Sequence, residues 1–238
     1  MIFFKNNVHK NAFTIAEVLI TMSIIGIIAA ITIVPLKTRI DNVKNVVKLK
    51  KVYSNVTQAI KNIANENNCV NDLACTELFS PTSSAANITS TITSQMKISK
   101  YCVPADRSCF PSKTIVSYDG STTHMWSFGG TRYSFITNDG VTIHLAPYLN
   151  NCSQDMGDNQ LDSKVCSYLY IFLNGPNKIS KAGRDTFVFY ITKDALLHPM
   201  GSTNEPTIPW TTRCADSSFI SGYECTGRLV EKNWVMDY

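Results

Sequence analysis

Residues 12–35 read AFTIAEVLITMSIIGIIAAITIVP, an apolar stretch near the N-terminus that contains one charged residue, Glu17. The next charge is Lys37, so a helix rising about 1.5 Å per residue from residue 18 could cross a hydrocarbon core of about 30 Å. A charge in such a segment costs roughly 2.5 to 3.5 kcal/mol. We therefore expect Glu17 to have a partner.

Residues 1–12 (MIFFKNNVHKNA) carry Lys5 and Lys10 and no acid, which is typical of the basic region of a targeting segment. A conventional signal peptide has a small-residue cleavage site after its apolar core. Residues 31–35 contain no A-x-A pattern, and the small residue instead precedes the apolar stretch, at Ala12. The order of these features thus differs from that of a conventional signal peptide.

The string AFT at residues 12–14, the acid Glu17 and the apolar run after it closely resemble the cleavage and methylation segment of type IV pilins and type II secretion pseudopilins. The resemblance implies that a prepilin peptidase cuts between Ala12 and Phe13 and methylates the new amino terminus. Glu17 then becomes the acidic fifth residue of the family. Ala12 replaces the commoner glycine, and alanine is a tolerated variant.

The position of Glu17 also suggests a mechanism. Cleavage before Phe13 places an ammonium group about one helical turn from the Glu17 carboxylate, at the end of an apolar helix. A pair between these groups, within one subunit or between subunits, removes the cost of a lone charge. Pairing between subunits would set axial register during assembly, which is our hypothesis. Alternatively, Glu17 only marks the interfacial end of the helix.

Small residues in the apolar run suggest how the helix packs. Gly26 and Ala30 have the small-xxx-small spacing that lets membrane helices approach closely, although Gly26 would also be neutral in a membrane helix. Pro35 lies one residue later than the usual proline of the family. It lacks an amide hydrogen, so we expect it to kink or locally melt the helix near Val34.

Beyond Pro35, apolar residues recur at intervals of three and four with lysines between them, which predicts an amphipathic helix over residues 37–67. The apolar positions are Ile40, Val43, Val46, Val47, Leu49, Val52, Tyr53, Val56, Ile60 and Ile63. By resemblance, residues 13–36 are the transmembrane and assembly part of one long helix, and residues 37–67 pack on a globular head. An ordinary juxtamembrane helix would show the same periodicity.

Charges and cysteines disagree about orientation. Between residues 37 and 51 there is one acid, Asp41, against the basic residues Lys37, Arg39, Lys44, Lys48, Lys50 and Lys51, and a positive-inside count would place the downstream chain in the cytoplasm. All 8 cysteines lie downstream of the span, and such usage is typical of oxidising compartments. Because long domains translocate largely regardless of charge, we predict that the head is extracytoplasmic.

The cysteine spacing favours disulfides over metal binding. Nearest-neighbour bridges would join Cys69 to Cys75, Cys102 to Cys109, Cys152 to Cys166 and Cys214 to Cys225, one of about 105 connectivities that eight cysteines allow. No C-x-x-C occurs and the histidines show no ligand spacing with the cysteines, so we expect neither a zinc site nor a cofactor.

The head, defined here as residues 68–238, is expected to hold an antiparallel sheet. Residues 131–137 (TRYSFIT) and 141–145 (VTIHL) flank Asn-Asp-Gly, which predicts a β-hairpin. Residues 168–173 and 186–191 are further strand candidates, dense in β-branched and aromatic residues. The expected fold is α+β, with the long helix packed on the sheet and the head stapled by disulfides.

Residues 81–94 are rich in Ser, Thr, Ala and Asn and are expected to form a surface connection over part of their length.

Catalytic motifs such as G-x-S-x-G, G-x-x-x-x-G-K and H-E-x-x-H do not occur in the sequence, so we expect no enzyme. The net charge is +4, and loss of Lys5 and Lys10 leaves +2. That is too little to predict nucleic-acid binding.

Residues 174–191 (NGPNKISKAGRDTFVFYI) resemble a loop of pseudopilin-like proteins, and the C-terminal CTGRLVEKNWVMDY resembles their tail. In some pseudopilins an oxygen-rich loop binds calcium, and Asn174, Asn177 and Asp185 could supply oxygens here. Phe172 stands where related sequences often have an acid, so any calcium site would be weak. A structural turn, with its glycines and proline chosen for backbone geometry, is the favoured interpretation.

The resemblance implies a structural subunit of a type IV pilus or a type II secretion pseudopilus. Its expected partners are copies of itself or other pilins, the prepilin peptidase, an inner-membrane assembly platform and membrane lipid. The expected location is the inner membrane as a single-pass protein, then an extracellular or periplasmic filament. Two alternatives stay open: a minor tip pilin that binds a ligand or DNA, and a single-span membrane-anchored receptor or enzyme.

Overall fold

The computed structural model describes residues 14–104, 106–110, 114–117, 123–125, 133–155, 164–202, 210–214 and 222–238. The chain divides into two units, Met1–Asp41 and Asn42–Tyr238. The helices are α1 (Ile15–Glu66), α2 (Ala85–Ser94), α3 (Trp210–Arg213) and α4 (Cys225–Glu231), with one 3-10 turn at Arg107–Cys109. The strands are β1 (Ile98–Cys102), β2 (Thr114–Val116), β3 (Thr123–Met125), β4 (Ser134–Thr137), β5 (Thr142–Pro147), β6 (Val165–Phe172), β7 (Ser180–Lys181), β8 (Thr186–Thr192) and β9 (Leu197–Pro199).

Six of these strands form one sheet in the order β1-β4-β5-β6-β8-β9, and every neighbouring pair is antiparallel. A second sheet has the order β3-β2-β7, with β2 antiparallel to β3 and parallel to β7. The expectation of a long helix with an antiparallel sheet is confirmed. Within residues 81–94, residues 81–84 form a connection and Ala85–Ser94 form a helix, and several strand limits differ from the predicted ones.

The core of the second unit lies between α1 and one face of the larger sheet. Helix residues at intervals of three and four are buried: Val46, Leu49, Val52, Val56, Ile60 and Ile63. They form one cluster with alternate residues of the central strands: Ile143, Leu145, Leu169, Ile171, Phe187, Phe189 and Ile191. Since alternate strand residues point to the same face, the helical and strand periodicities in the sequence meet in this one core.

Three apolar positions of the predicted amphipathic pattern are not in that core. Ile40, Val43 and Val47 remain 52%, 64% and 63% exposed. At about 100° per residue, Val43 and Val47 lie on the side of the helix away from the buried row. The helix over residues 37–67 therefore has apolar residues on two faces, and the sheet covers one of these faces.

The predicted hairpin is present between β4 and β5. The amide of Gly140 donates to the Thr137 carbonyl and the amide of Thr137 donates to the Val141 carbonyl, both at 2.9 Å. Gly140 has φ of 71°, which a glycine adopts without strain. The strand itself begins at Ser134 rather than at residue 131, and residues 131 and 132 lie outside the described residues.

The stretch expected as a surface connection is partly a helix. Ser84 caps α2 by accepting a hydrogen bond from the amide of Asn87 at 3.1 Å, and Ile88 and Ile92 are buried in the main core. Hydroxyl groups within α2 donate to carbonyls three or four residues earlier, as Thr89 does to Ala85. Burial of two isoleucines thus outweighs the weak helix propensity of Ser and Thr.

Four disulfides join each cysteine to its nearest neighbour in the sequence. The pairs are Cys69–Cys75, Cys102–Cys109, Cys152–Cys166 and Cys214–Cys225. The first ties the end of α1 to the chain that follows it, the second links β1 to the 3-10 turn, and the fourth links α3 to α4. The expected stapling of the head is therefore found.

Candidate functional site

The start of α1 is held by a reciprocal pair of contacts between Thr14 and Glu17. The Thr14 amide and hydroxyl donate to one carboxylate oxygen of Glu17 at 2.8 and 2.9 Å. The Glu17 amide donates back to the Thr14 hydroxyl oxygen at 3.2 Å. This arrangement is a capping box, Thr-x-x-Glu, in which two otherwise unsatisfied amides at a helix start are paired.

Glu17 therefore has a partner within its own helix that sequence reasoning missed. The signal was available, because Thr14 precedes Glu17 by three residues just before an apolar run. Within the described residues, the second carboxylate oxygen of Glu17 accepts no hydrogen bond, and the side chain is exposed. Ala12 and Phe13, the predicted cleavage residues, lie outside the described residues.

The first half of α1 exposes its apolar side chains. Ile15 is 81% exposed, Ile25 65%, Ile31 69% and Val34 67%. In the described part of the chain, α1 is the one helix long and apolar enough to cross a membrane. Length, composition and exposure together indicate a surface that another apolar phase or partner covers.

The polar side chains of this segment are satisfied by the helix itself. The hydroxyls of Ser23 and Thr32 donate to the carbonyls of Leu19 and Ile28, each at 2.8 Å. Such internal hydrogen bonding suits a helix in hydrocarbon, where no water is present to accept a hydrogen bond from the hydroxyl. The hydroxyl groups of the segment thus have hydrogen-bond acceptors within the helix.

Gly26, Ala30 and Pro35 all lie in the helical part of the first unit. A Cβ added at Gly26 would meet nothing within 4 Å, and Ala30 is exposed. The helix continues through Pro35, so the local melting considered near Val34 is not found. The Thr38 hydroxyl donates to the Val34 carbonyl at 3.2 Å, which adds a side-chain bond beside the proline, in line with the way membrane helices accommodate this residue.

Asp185 organises the segment between β6 and β8, which contains β7. One oxygen of this carboxylate accepts hydrogen bonds from the Lys181 amide at 2.7 Å and the Thr186 hydroxyl at 3.2 Å. The other accepts from the side-chain amide of Asn174 at 2.7 Å. Burial raises the pKa of Asp185 to about 6, although these hydrogen bonds favour the ionised form.

Two of the three calcium candidates therefore meet, and the third does not join them. Asn174 contacts Asp185 as a donor. Asn177 has an exposed side chain, and its amide donates to the Phe110 carbonyl at 3.1 Å. Its φ of 62° is left-handed, a conformation that asparagine tolerates in turns. These contacts describe a hydrogen-bonded turn.

A polar row on α1 binds this turn and the neighbouring hairpin. Asn45 donates its side-chain amide to the Arg184 carbonyl at 3.0 Å, and the Lys48 ammonium donates to the Leu173 carbonyl. Lys51 forms an ion pair with Asp139 at 2.8 Å. Burial lowers the pKa of Lys48. Residues three apart share a helix face. This row therefore holds one face of the α1 residues in the second unit against the two loops.

Among the described residues, no group of three or more His, Cys, Asp or Glu side chains could hold a metal ion.

A recess of about 350 Å³ is lined by Ala85, Ala146, Pro147, Tyr148, Leu149, Tyr168 and Tyr170. Nothing in the sequence pattern pointed to this recess, because its lining comes from α2, β5, the residues just after β5, and β6, and is assembled only by folding.

Comparison with known proteins identifies the N-terminal segment. Residues 8–33 match the family model of the prokaryotic N-terminal methylation motif, which is the signature of type IV pilins and pseudopilins. The match includes Ala12, Phe13 and the Thr14–Glu17 capping box. Neither the curated proteins nor the solved structures gave a match.

Proposed function

We propose that the chain is the precursor of a structural subunit of a type IV pilus or a type II secretion pseudopilus. A prepilin peptidase cuts between Ala12 and Phe13 and methylates Phe13, and residues 13–36 hold the subunit in the inner membrane with the head extracytoplasmic. The observation that carries the proposal is the methylation motif at residues 8–33, which leads directly into an exposed apolar helix.

Helix packing between copies, or with other pilins, is the proposed assembly contact. Gly26 leaves open space beside its backbone, which small-xxx-small packing with Ala30 would use. In the second unit, Val43 and Val47 are exposed on the side of α1 away from the core. An apolar side of a helix outside the membrane is unfavourable in water, and contact with a neighbouring subunit would cover it.

The remaining polar residues support a structural role over an enzymatic one. The buried Asp185 is occupied by donors of its own turn, and Lys48 and Lys51 hold loops to α1. The family that carries the motif is structural. We therefore propose that the head is a disulfide-stapled structural domain.

Assembly is tested by producing the chain in cells that contain a prepilin peptidase and an assembly platform. Surface filaments are sheared off and collected, and the chain is quantified in the sheared and membrane fractions. The proposal predicts processed chain in the sheared or filament fraction. Complete retention as a single subunit in the membrane, with no chain in sheared or periplasmic filaments, in cells where a resident pilin still assembles, would contradict it.

A further inference from the structure

Apart from Lys44 and Lys61, which are exposed and form no ion pair within the described residues, the basic residues of α1 after the apolar segment fall into two groups. Lys48, Lys50 and Lys51 have contacts within the second unit: Lys48 with the Leu173 carbonyl, Lys51 with Asp139, and Lys50 over the Trp234 ring at 5.7 Å from its centroid. These three cations are explained by the fold. They bind the head's loops and its C-terminal segment.

Lys37 and Arg39 form the other group, in the first unit, and we call them the free basic pair. Both side chains are exposed, and neither makes a hydrogen bond or an ion pair with any described residue. Asp41 is close in sequence but forms no ion pair within the described residues. The fold therefore gives no reason for two cations at this place.

The position of Lys37 and Arg39, just after the apolar segment, suggests a reason for these two cations. The uncharged apolar run ends with Val34, Pro35 and Leu36, immediately before Lys37, and Val34 and Leu36 are 67% and 58% exposed. Arg39 follows Leu36 by about 4.5 Å along the helix axis, whereas the polar headgroup layer extends roughly 5 to 8 Å beyond the hydrocarbon on each side. If the apolar segment spans the core, the free basic pair lies in the headgroup layer.

The helical spacing determines how the pair can bind. Residues two apart do not face each other on a helix, so Lys37 and Arg39 reach separate lipids on different sides rather than one shared anion. Both side chains are long enough to extend their charged ends to the phosphate level. Each cation near an anionic surface contributes about 1 kcal/mol of binding free energy, or roughly fivefold in affinity.

We propose that Lys37 and Arg39 bind the phosphate groups of anionic lipids in the outer surface of the membrane, and so hold the subunit at a defined depth before assembly. The proposal rests on the proposed function, because it requires residues 13–36 to span the membrane. Lipid binding would also explain why two cations occur here, although the positive-inside rule alone would place them on the cytoplasmic side. Such contacts are reversible and weaken with salt, which suits a subunit that later leaves the membrane.

The test uses the full chain in neutral detergent, with equimolar phosphatidylglycerol and phosphatidylcholine, and counts bound lipids by native mass spectrometry. The wild-type chain should prefer phosphatidylglycerol. The double substitution Lys37→Gln and Arg39→Gln should reduce that preference by roughly 25-fold, at about fivefold per cation. The matched control is Lys61→Gln with Lys97→Gln, which removes the same charge from two other exposed lysines and should leave the preference unchanged.

Three outcomes would overturn the inference. The first is an unchanged phosphatidylglycerol preference in the Lys37→Gln, Arg39→Gln variant. The second is an equal loss of preference in that variant and in the control. The third is a loss of filament assembly with lipid binding intact, which would indicate that Lys37 and Arg39 contact a neighbouring subunit. Flotation of the wild-type chain with phosphatidylcholine vesicles separates this inference from the proposed function. Failure to float contradicts the membrane step itself, whereas flotation without a phosphatidylglycerol preference contradicts only the lipid contact.

Discussion

One oxygen of the Glu17 carboxylate accepts two hydrogen bonds from Thr14, at 2.8 Å from its amide and 2.9 Å from its hydroxyl. A residue proposed to pair with a neighbouring subunit is thus also the capping residue of its own helix. Capping requires a hydrogen-bond acceptor at this position, whereas pairing with an amine requires a charge. The two roles can therefore be separated by substitution.

Glu17→Gln keeps an acceptor that serves a capping box and removes the charge. If Glu17 pairs with the methylated amine of another subunit, Glu17→Gln should lower the amount of sheared filament about as much as Glu17→Ala. Thr14→Ala removes the cap but keeps the charge, so it should have the smaller effect, through a loss of about 1 kcal/mol in helix stability.

The opposite ranking would reject the register hypothesis. Normal assembly of Glu17→Gln together with impaired assembly of Thr14→Ala would assign Glu17 to capping alone. Processing of each variant has to be measured in the same samples, since a variant that is not cleaved reports on the peptidase and not on assembly.

Two glycines offer a comparison between core packing and assembly. A Cβ at Gly227 would lie 2.3 Å from the backbone carbon of Gly201, and neither backbone can move without displacing α4 or the segment after β9. Gly227→Ala should therefore lower the free energy of unfolding by at least about 2 kcal/mol. Chemical denaturation of the detergent-solubilised full chain measures this.

Gly26→Ala is the matched control for head stability and a test of helix packing. Nothing lies within 4 Å of a Cβ placed there, so unfolding of the head should not change. Gly26→Leu should reduce filament assembly because a large side chain blocks close helix approach. Full assembly of Gly26→Leu would show that this face does not pack against another helix.

Asp185 predicts a specific pH dependence. Its pKa in the folded protein is raised from 3.8 to about 6, chiefly by burial, so the folded state binds the proton more tightly than the unfolded state. The stabilisation is complete below pH 3.8 and is lost as the pH rises through about 6. Relative to Asp185→Asn, the wild-type chain should lose about 3 kcal/mol of unfolding free energy between pH 3.5 and pH 7.

The difference between the two proteins isolates Asp185, because all other carboxyl groups are common to both. An unfolding free energy that varies with pH in parallel for wild type and Asp185→Asn would contradict this prediction. Calcium adds a second readout at pH 7. A structural turn predicts no calcium-dependent rise in the melting temperature, and a rise that Asp185→Asn abolishes would show that Asp185 is a ligand.

The Cys152–Cys166 disulfide should contribute measurably to stability. Both cysteines are fully buried and are separated by 14 residues, a loop length for which chain entropy predicts about 3 kcal/mol. Replacing both with alanine should lower the free energy of unfolding by that order. Replacing Cys69 and Cys75, separated by 6 residues, should cost less, and an equal or larger loss there would contradict the loop-length argument.

Local patterns allowed much of the fold to be predicted. The period of the apolar residues predicted a helix over residues 37–67, and α1 ends at Glu66. Asn-Asp-Gly identified the hairpin turn. The cysteine spacing pointed to the bridges found, since each links residues that are close in sequence. These features depend on local chemistry, which a sequence displays directly.

The features that were missed depend on tertiary contacts. β9 is a short strand of three residues whose pairing with β8 leaves no periodic signal. In α2, Ile88 and Ile92 fold a Ser- and Thr-rich segment into a helix because the core buries them. The contact of Asn45 with the Arg184 carbonyl joins residues far apart in the chain, and no local pattern encodes it.

The central claim is that the chain is processed between Ala12 and Phe13, and mass spectrometry of the N-terminal peptide from cells with a prepilin peptidase tests it most directly. Ala12→Gly should be processed like the wild type, and Ala12→Leu should block cleavage, because we expect a small residue to be needed before the cut. The account predicts a mature peptide that begins with N-methylated Phe13. A mature protein that still begins at Met1 would contradict it and would favour a single-span anchor.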